Sequence, residues 1–348
     1  MNRLTYIDGM KGISAIIVVL SHLYCSIYGI GVQHASTIKT ILADIHNGKM
    51  AVSIFIILSA FTMAHLCKKY ANYQKLLIKR YFRLMIPCII PIMLMVLCYY
   101  TKVGYNDDLG TKLNNSWLIW WPQNLNWKSI PWALIGSPIG EAWEWLNVLW
   151  MMKYVFLTPF VVVILDIILK NIQIFQKTFV IALCCIVSYK YDIWLINIFA
   201  GYALFQICDI CSSLEIKHKN LWRIVFSACL IFLYIMTCIK AFNDRNNTIK
   251  GVCIVSLVLM WMPLKNIFSL KPFVFLGHIS FEIYLLHLVI IYTLSCRFYI
   301  LIEHIPHSFN IFVVFTLLVT IIISYGYKRI VSPLTDKITD LIVNWIKK

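Results

Sequence analysis

Residues 10–31 read MKGISAIIVVLSHLYCSIYGIG, a run that is almost entirely apolar. At about 1.5 Å per residue, a helix of this length crosses the roughly 30 Å hydrocarbon core of a bilayer. The run contains two ionisable side chains, Lys11 and His22. Such groups are costly within a membrane and are retained mainly where they face a protein interior. The stretch therefore predicts a membrane helix with His22 about 18 Å from Met10, near mid-membrane.

The rest of the chain has the same apolar character. Of its 348 residues, 61% are hydrophobic and 13% are charged, whereas soluble domains are about 45–50% apolar and about 25% charged. This composition excludes an ordinary soluble protein. The formal net charge of +16 would favour nucleic-acid binding in a soluble chain. In a membrane protein it follows from basic cytoplasmic loops, and we predict no nucleic-acid partner.

Hydropathy predicts an all-α, polytopic membrane bundle of about ten helices that forms a single domain, residues 1–348. With the N-terminus inside, Lys and Arg are roughly twice as numerous at the inner span ends as at the outer ones, which places both termini in the cytoplasm. The predicted spans are 10–31, 50–67, 82–101, 148–169, 174–189, 191–208, 222–240, 250–264, 280–297 and 310–331.

Two interpretations remain open for each ionisable group of the first span. Asp8 and Lys11 are three residues apart and can pair on one helix face. Lys11 either serves a site or extends its amine to the membrane interface. His22 either acts as a general base, since its pKa suits proton transfer near neutrality, or hydrogen-bonds between helices for packing.

A basic segment precedes the third predicted span. Residues 68–83 contain six Lys and Arg and no acid. Arg80 and Arg83 are three residues apart and share a helical face, where guanidinium groups can bind phosphates bidentately. The alternative is ordinary cytoplasmic positive charge with attraction to anionic membrane lipid.

A second histidine, His287, lies within the ninth predicted span. The residues just before this span and its first two turns read GHISFEIYLLH, residues 277–287. His287 reaches a depth similar to that of His22, so the two rings could line one cavity. Tyr284 shares a helix face with His287. Two intramembrane histidines at similar depth are harder to explain by packing than one.

The long connection at 102–147 is rich in tryptophan. Its indoles either anchor at the membrane interface or stack on sugar rings, with Asp107, Asp108, Glu141 and Glu144 as hydrogen-bond acceptors. We predict no metal site, because the Cys208–Cys211 pair has no second ligand pair to match it. The tryptophans are Trp117, Trp120, Trp121, Trp127, Trp132, Trp143 and Trp145.

Five short segments, in order from residue 4 to about residue 290, resemble the membrane acyltransferase-3 family, which includes O-acetyltransferases of bacterial surface polysaccharides. Lys11 stands where the family usually has arginine, and it keeps the charge without the planar fork. The matching segments are Leu4 to Ile13 with His22, Val52 to Phe61, Arg80 to Arg83 with Pro87, Leu149 to Phe160, and Ser280 to His287.

The resemblance implies a transferase of the bacterial inner membrane that moves an acyl group, expected to be acetyl, from acetyl-CoA to a hydroxyl of a glycan or lipid-linked saccharide. Arg80 and Arg83 would hold the phosphates of the donor. His22 would act as base or carry the acyl group, with Lys11, Tyr284 and His287 as further catalytic residues. The alternative is an exporter or flippase of a glycan or lipid-linked precursor that uses the histidines as a proton relay.

Overall fold

The computed structural model describes residues 4–27, 44–70, 72–119, 126–140, 142–213, 219–239 and 243–345. Within these ranges every regular element is helical. The α-helices are α1 (Thr5–Ser21), α2 (Gly48–Lys69), α3 (Tyr73–Thr101), α4 (Asn106–Lys112), α5 (Ile130–Gly136), α6 (Met152–Leu169), α7 (Ile174–Tyr191), α8 (Ile196–Ser213), α9 (Lys219–Ile239), α10 (Asp244–Met260), α11 (Met262–Phe268), α12 (Lys271–His278), α13 (Ser280–Ile290), α14 (Cys296–Ile302) and α15 (Ser308–Trp345).

The prediction of a polytopic helical membrane protein is confirmed. Among the described residues, nine helices are long and apolar enough to cross a membrane, and a bent pair, α10 with α11, would make ten. The pair bends by 105° inside the predicted span 250–264. The backbone is extended at Trp261. Pro263 explains the break, because it lacks the N–H that a continuous helix would use and its ring would clash with the carbonyl four residues earlier.

Two helices are longer than hydropathy predicted. The third span begins at Tyr73 instead of residue 82, and the last continues to Trp345 instead of residue 331. In the added part of α15 the buried residues recur every fourth position, at Val331, Thr335, Thr339 and Val343. A hydropathy average misses such extensions, because an amphipathic helix buries only one face.

The chain divides into two compact units, which are described separately. The first unit comprises Met1–Ile17, Gly31–Gln74 and Leu157–Gly277. The second comprises Val18–Ile30, Lys75–Phe156 and His278–Lys348. That the whole chain acts as one domain stays a prediction.

In the first unit, glycines let α1 pack directly on the backbone of neighbouring helices. A Cβ on Gly9 would lie against the carbonyl oxygen of Phe268, and one on Gly12 against the backbone nitrogen of Gly277. A Cβ on Gly277 would in turn meet the carbonyl of Asp8. Small residues at helix contacts allow this close approach in membrane proteins. The glycines of the opening motif therefore have a packing role.

The first unit also contains a buried ion pair, the Asp44 cluster. Lys250 Nζ donates to both carboxylate oxygens of Asp44 at 2.9 and 2.8 Å, and the side chains are 2% and 4% exposed. Tyr234 donates to the same carboxylate at 2.6 Å and Asn47 at 2.9 Å. Asn47 also donates to Asn247 at 2.8 Å. Each carboxylate oxygen thus has two donors, as a buried charge requires.

In the second unit, α15 packs against α13 and also bonds to α3. Pro91 has no N–H, so the carbonyl of Pro87 lacks its usual helical donor. The Tyr327 hydroxyl donates to that carbonyl at 2.6 Å. Lys328 pairs with the buried Glu282 of α13 at 3.0 Å. These contacts fix the helices on which the candidate site is built.

Candidate active site

His22 lies where α1 changes its winding. A π-helical segment, His22–Ile27, continues α1 directly. π-Helical turns are rare and occur often at functional sites. The helix begins at Thr5, five residues before the predicted span, so His22 lies roughly 26 Å from the start of the helix. Its position near mid-membrane stays a prediction.

The imidazole of His22 is stacked against two other rings of the second unit. The indole of Trp117 lies 5.2 Å away, centroid to centroid, at 19°. The imidazole of His287 lies 5.2 Å away at 25°. Tyr284 follows, 5.9 Å from His287. The structure thus brings together three of the predicted site residues, with one that the sequence did not single out.

The hydrogen bonds of His287 identify its tautomer. Nδ1 lies 2.8 Å from the carbonyl oxygen of Tyr284 and 3.2 Å from that of Ile283. A carbonyl can only accept, so Nδ1 carries the proton and, in a neutral ring, Nε2 carries the lone pair. That Nε2 is buried and, among the described residues, has no hydrogen-bond partner. His287 therefore presents an unused proton acceptor.

His22 also has an unused nitrogen. Its Nδ1 is buried and has no partner within the described part of the chain. Buried polar atoms are nearly always hydrogen-bonded, and an exception calls for an explanation. Two adjacent imidazoles with unsatisfied nitrogens fit a site that awaits a ligand hydroxyl or carbonyl.

Tyr284 is fully packed and its hydroxyl is engaged. It donates a hydrogen bond to the main-chain carbonyl of Val148, in the 3₁₀ turn Asn147–Met151 that leads into α6. A phenol has one proton to donate. This arrangement favours a positioning role for Tyr284 over stabilisation of an oxyanion.

Arg80 and Arg83 lie on α3 in the second unit, one helical turn apart. Arg83 pairs with Asp336 of α15 at 2.9 Å, and Lys79 pairs with Asp340 at 2.7 Å. The basic segment is thus partly neutralised by acids that are distant in sequence. The Nε of Arg80, by contrast, is buried and has no hydrogen-bond partner among the described residues.

Lys11 belongs to the other unit of the chain. It lies on the portion of α1 that belongs to the first unit, next to Gly12, and its side chain is partly buried. Its predicted catalytic role stays a prediction.

The tryptophans of the long connection have different environments. Trp127, Trp132 and Trp143 are exposed, whereas Trp145 is buried and donates to Ser129 at 3.1 Å. The indole of Trp117 stacks on the imidazole of His22. A membrane-anchoring role does not explain it, because one face of its indole is covered by His22.

Three of the four carboxylates that were offered as hydrogen-bond acceptors for sugar lie in the described residues. Asp107 and Asp108 are exposed in the first turn of α4. Burial, and then the neighbouring Asp108, raises the pKa of Asp107 above its usual range. Glu144 is exposed elsewhere in the connection. Three further predicted residues, Trp120, Trp121 and Glu141, lie outside the described residues.

A family model described as an acyltransferase domain matches residues 4–329. The chain belongs to the acyltransferase-3 family. The resemblance found in the sequence is therefore confirmed, and the protein is a multi-pass membrane acyltransferase. No curated protein and no solved structure matches the chain.

In this acyltransferase, one of the six predicted site residues, Lys11, belongs to the first unit. His22, Arg80, Arg83, Tyr284 and His287 all belong to the second unit. The acids that pair with Arg83 and Lys79, Asp336 and Asp340, follow the end of the family match at residue 329. Within the described residues, no three His, Cys, Asp or Glu side chains are grouped as a metal ion requires.

Proposed function

We propose that this acyltransferase transfers an acetyl group from cytoplasmic acetyl-CoA to a hydroxyl of a surface glycan or lipid-linked saccharide, in a bacterial inner membrane. The observation that carries the proposal is the stacked pair His22–His287, with a buried, unpartnered nitrogen on each ring. A base of this kind is what acyl transfer to an alcohol requires, because the hydroxyl must lose its proton as it attacks.

The donor site is built on Arg80 and Arg83. Acyl-CoA carries several phosphate charges, and guanidinium groups bind phosphate with paired, charge-assisted hydrogen bonds. The unpartnered Nε of Arg80 supports this assignment, since a buried donor without an acceptor fits an anion. Arg83 would exchange its exposed pair with Asp336, in which both side chains are more than half exposed, at little cost.

His22 acts as the general base. One ring nitrogen takes the proton of the acceptor hydroxyl while the oxygen attacks the thioester carbonyl. The carbon–sulfur bond then breaks, an ester forms, and the imidazolium returns the proton to the departing thiolate of CoA. The second ring, held by its Nδ1 on two carbonyls, keeps its Nε2 available to bind the hydroxyl or to accept the same proton.

Paired substitutions test the two nitrogens of His287. His287→Asn retains a donor near Nδ1 and loses Nε2, whereas His287→Gln places its amide near Nε2. We expect His22→Gln and His287→Asn to lower glycan acetylation by about 100-fold or more, the usual contribution of a general base, and His287→Gln to lower it less. Alkali-labile acetate on the surface glycan is measured at matched amounts of membrane-inserted protein.

His304→Gln is the control, because His304 is exposed. Normal acetylation in the His22 variant would contradict the mechanism.

Release of CoA by purified protein in detergent, with glycan extracted from a strain that lacks the gene, separates an enzyme from an exporter. An exporter needs a sealed vesicle and would release no CoA.

A further inference from the structure

The turn that presents Trp117 is built by one side chain, Asn115. Its Oδ1 accepts from the backbone N–H of Trp117 at 2.9 Å and of Leu118 at 3.3 Å. Asparagine side chains often close such turns by bonding to the backbone two residues later. The hydrogen bond from the backbone N–H of Trp117 to the Asn115 side chain thereby fixes the backbone that carries the indole.

The same side chain also binds the helix of His22. Asn115 Nδ2 donates to the carbonyl of Ile27 at 3.0 Å, at the last residue of the π-helical segment that His22 opens. Asn115 therefore links the π-helical segment of His22 to the turn that contains Trp117.

A second π-helical segment supports the indole from another direction. Tyr292 lies in Ile291–Ser295, and its ring meets the Trp117 indole edge-on at 5.8 Å and 72°. The carbonyl of Tyr292 accepts from the N–H of Tyr105 at 2.9 Å, immediately before α4. Trp117 is thus held between two irregular helix segments of the second unit.

We propose that Trp117 is a positioning residue for His22, held in place by Asn115. The indole fixes the plane of the imidazole and presents its electron-rich face to that ring. An imidazolium, which forms only when His22 has taken the proton, is attracted to this face, whereas the neutral ring gains less. The interaction is therefore stronger in the transition state, and its loss lowers kcat more than it changes KM.

This inference rests on the proposed function and is tested on purified full-length protein in detergent. Acetyl-CoA is kept saturating, glycan extracted from a strain lacking the gene is varied, and release of the CoA thiol is followed. We expect Trp117→Leu to lower kcat about 3- to 30-fold, the range of a cation–π contact, with the KM for glycan within about twofold. Trp117→Phe retains a stacked ring and should recover most of the rate.

Asn115→Ala should lower kcat as Trp117→Leu does, and it replaces that variant if the latter does not fold. Ser116→Ala, in the same turn and exposed, and Trp222→Leu, 53% exposed in the first unit, should leave both constants unchanged. A raised KM with unchanged kcat would instead make Trp117 a platform for sugar and overturn the inference. So would a Phe variant as slow as the Leu variant.

The failure of the proposed function has a different signature. If wild-type protein releases no CoA in the presence of extracted glycan, the assignment of donor and acceptor is wrong, independently of Trp117. If wild-type protein is active and all the variants match it, only the positioning role fails.

Discussion

Lys250 and Asp44 form the most deeply buried ion pair of the described residues. Their partners lie on separate segments, and every carboxylate oxygen is satisfied. A buried pair of this kind gains little over an apolar pair, but removal of one partner leaves an uncompensated charge. The pair therefore gives a sharp test at the scale of a single residue.

Lys250→Met should lower the free energy of unfolding by about 3–5 kcal/mol, because the Asp44 carboxylate loses its cation while it stays buried. The measurement is the midpoint of thermal unfolding in detergent, with the folded protein that remains after heating quantified by size-exclusion chromatography. Lys49→Met is the matched control, since its pair with Asp244 is exposed on the lysine side and is worth about 0–1 kcal/mol. Equal midpoints for the two variants would contradict the role of the Asp44 cluster.

Residues were predictable from the sequence where an intramembrane charge or a family motif marked them. His22, His287, Arg80 and Arg83 were found in this way. The Asp44 cluster was not, because Asp44 and Lys250 are 206 residues apart and neither stands in a recognisable pattern. Trp117 was noticed only as one tryptophan among seven, since its contact with His22 depends on the fold of the turn around Asn115.

At the scale of the helix, the opening Asp-Gly motif explains how α1 packs. Gly9→Ala should destabilise the protein, because the added methyl group would occupy the position of the Phe268 carbonyl oxygen and backbone cannot move aside cheaply. We expect a loss of about 1–3 kcal/mol, as for an overpacked core, seen as a lower thermal midpoint in detergent.

Gly326→Ala provides the control on α15. Nothing lies within 4 Å of a Cβ at this position, and alanine favours helix over glycine by about 1 kcal/mol. The midpoint of thermal unfolding of this variant should equal or exceed that of the wild-type protein. A similar loss in both variants would mean that flexibility, and not close packing, explains the glycine at position 9.

Elements were predictable where apolar length alone defines them. The spans at 148–169 and 174–189 agree closely with Asn147–Leu169 and Ile174–Tyr191. The basic start of α3 and the end of α15 were missed, since their apolar residues cover one face only. The two π-helical segments have no hydropathy signal, because one extra residue in a turn changes side-chain direction and leaves composition unchanged.

For the whole molecule, the bent pair α10–α11 determines on which side the chain ends. In the part of the chain that the structure describes, nine helices qualify as spans alone, and the pair makes ten only if its two helices cross the membrane as one span. An even number of crossings places both termini on one side, and an odd number separates them. The excess of Lys and Arg at the inner ends predicts that both termini are cytoplasmic, so we expect the pair to cross despite its 105° bend.

Reporter fusions to the full chain test this topology in bacterial cells. A green fluorescent protein after Lys348 should fluoresce, and alkaline phosphatase at the same position should be inactive, since it matures only outside the cytoplasm. The control is phosphatase inserted after Trp127, beyond the third span, where it should be active. Active phosphatase at the C-terminus would make α10–α11 a re-entrant segment. The ion pairs of Lys79 and Arg83 with Asp340 and Asp336 join the start of α3 to the end of α15, so that outcome would also be incompatible with these contacts.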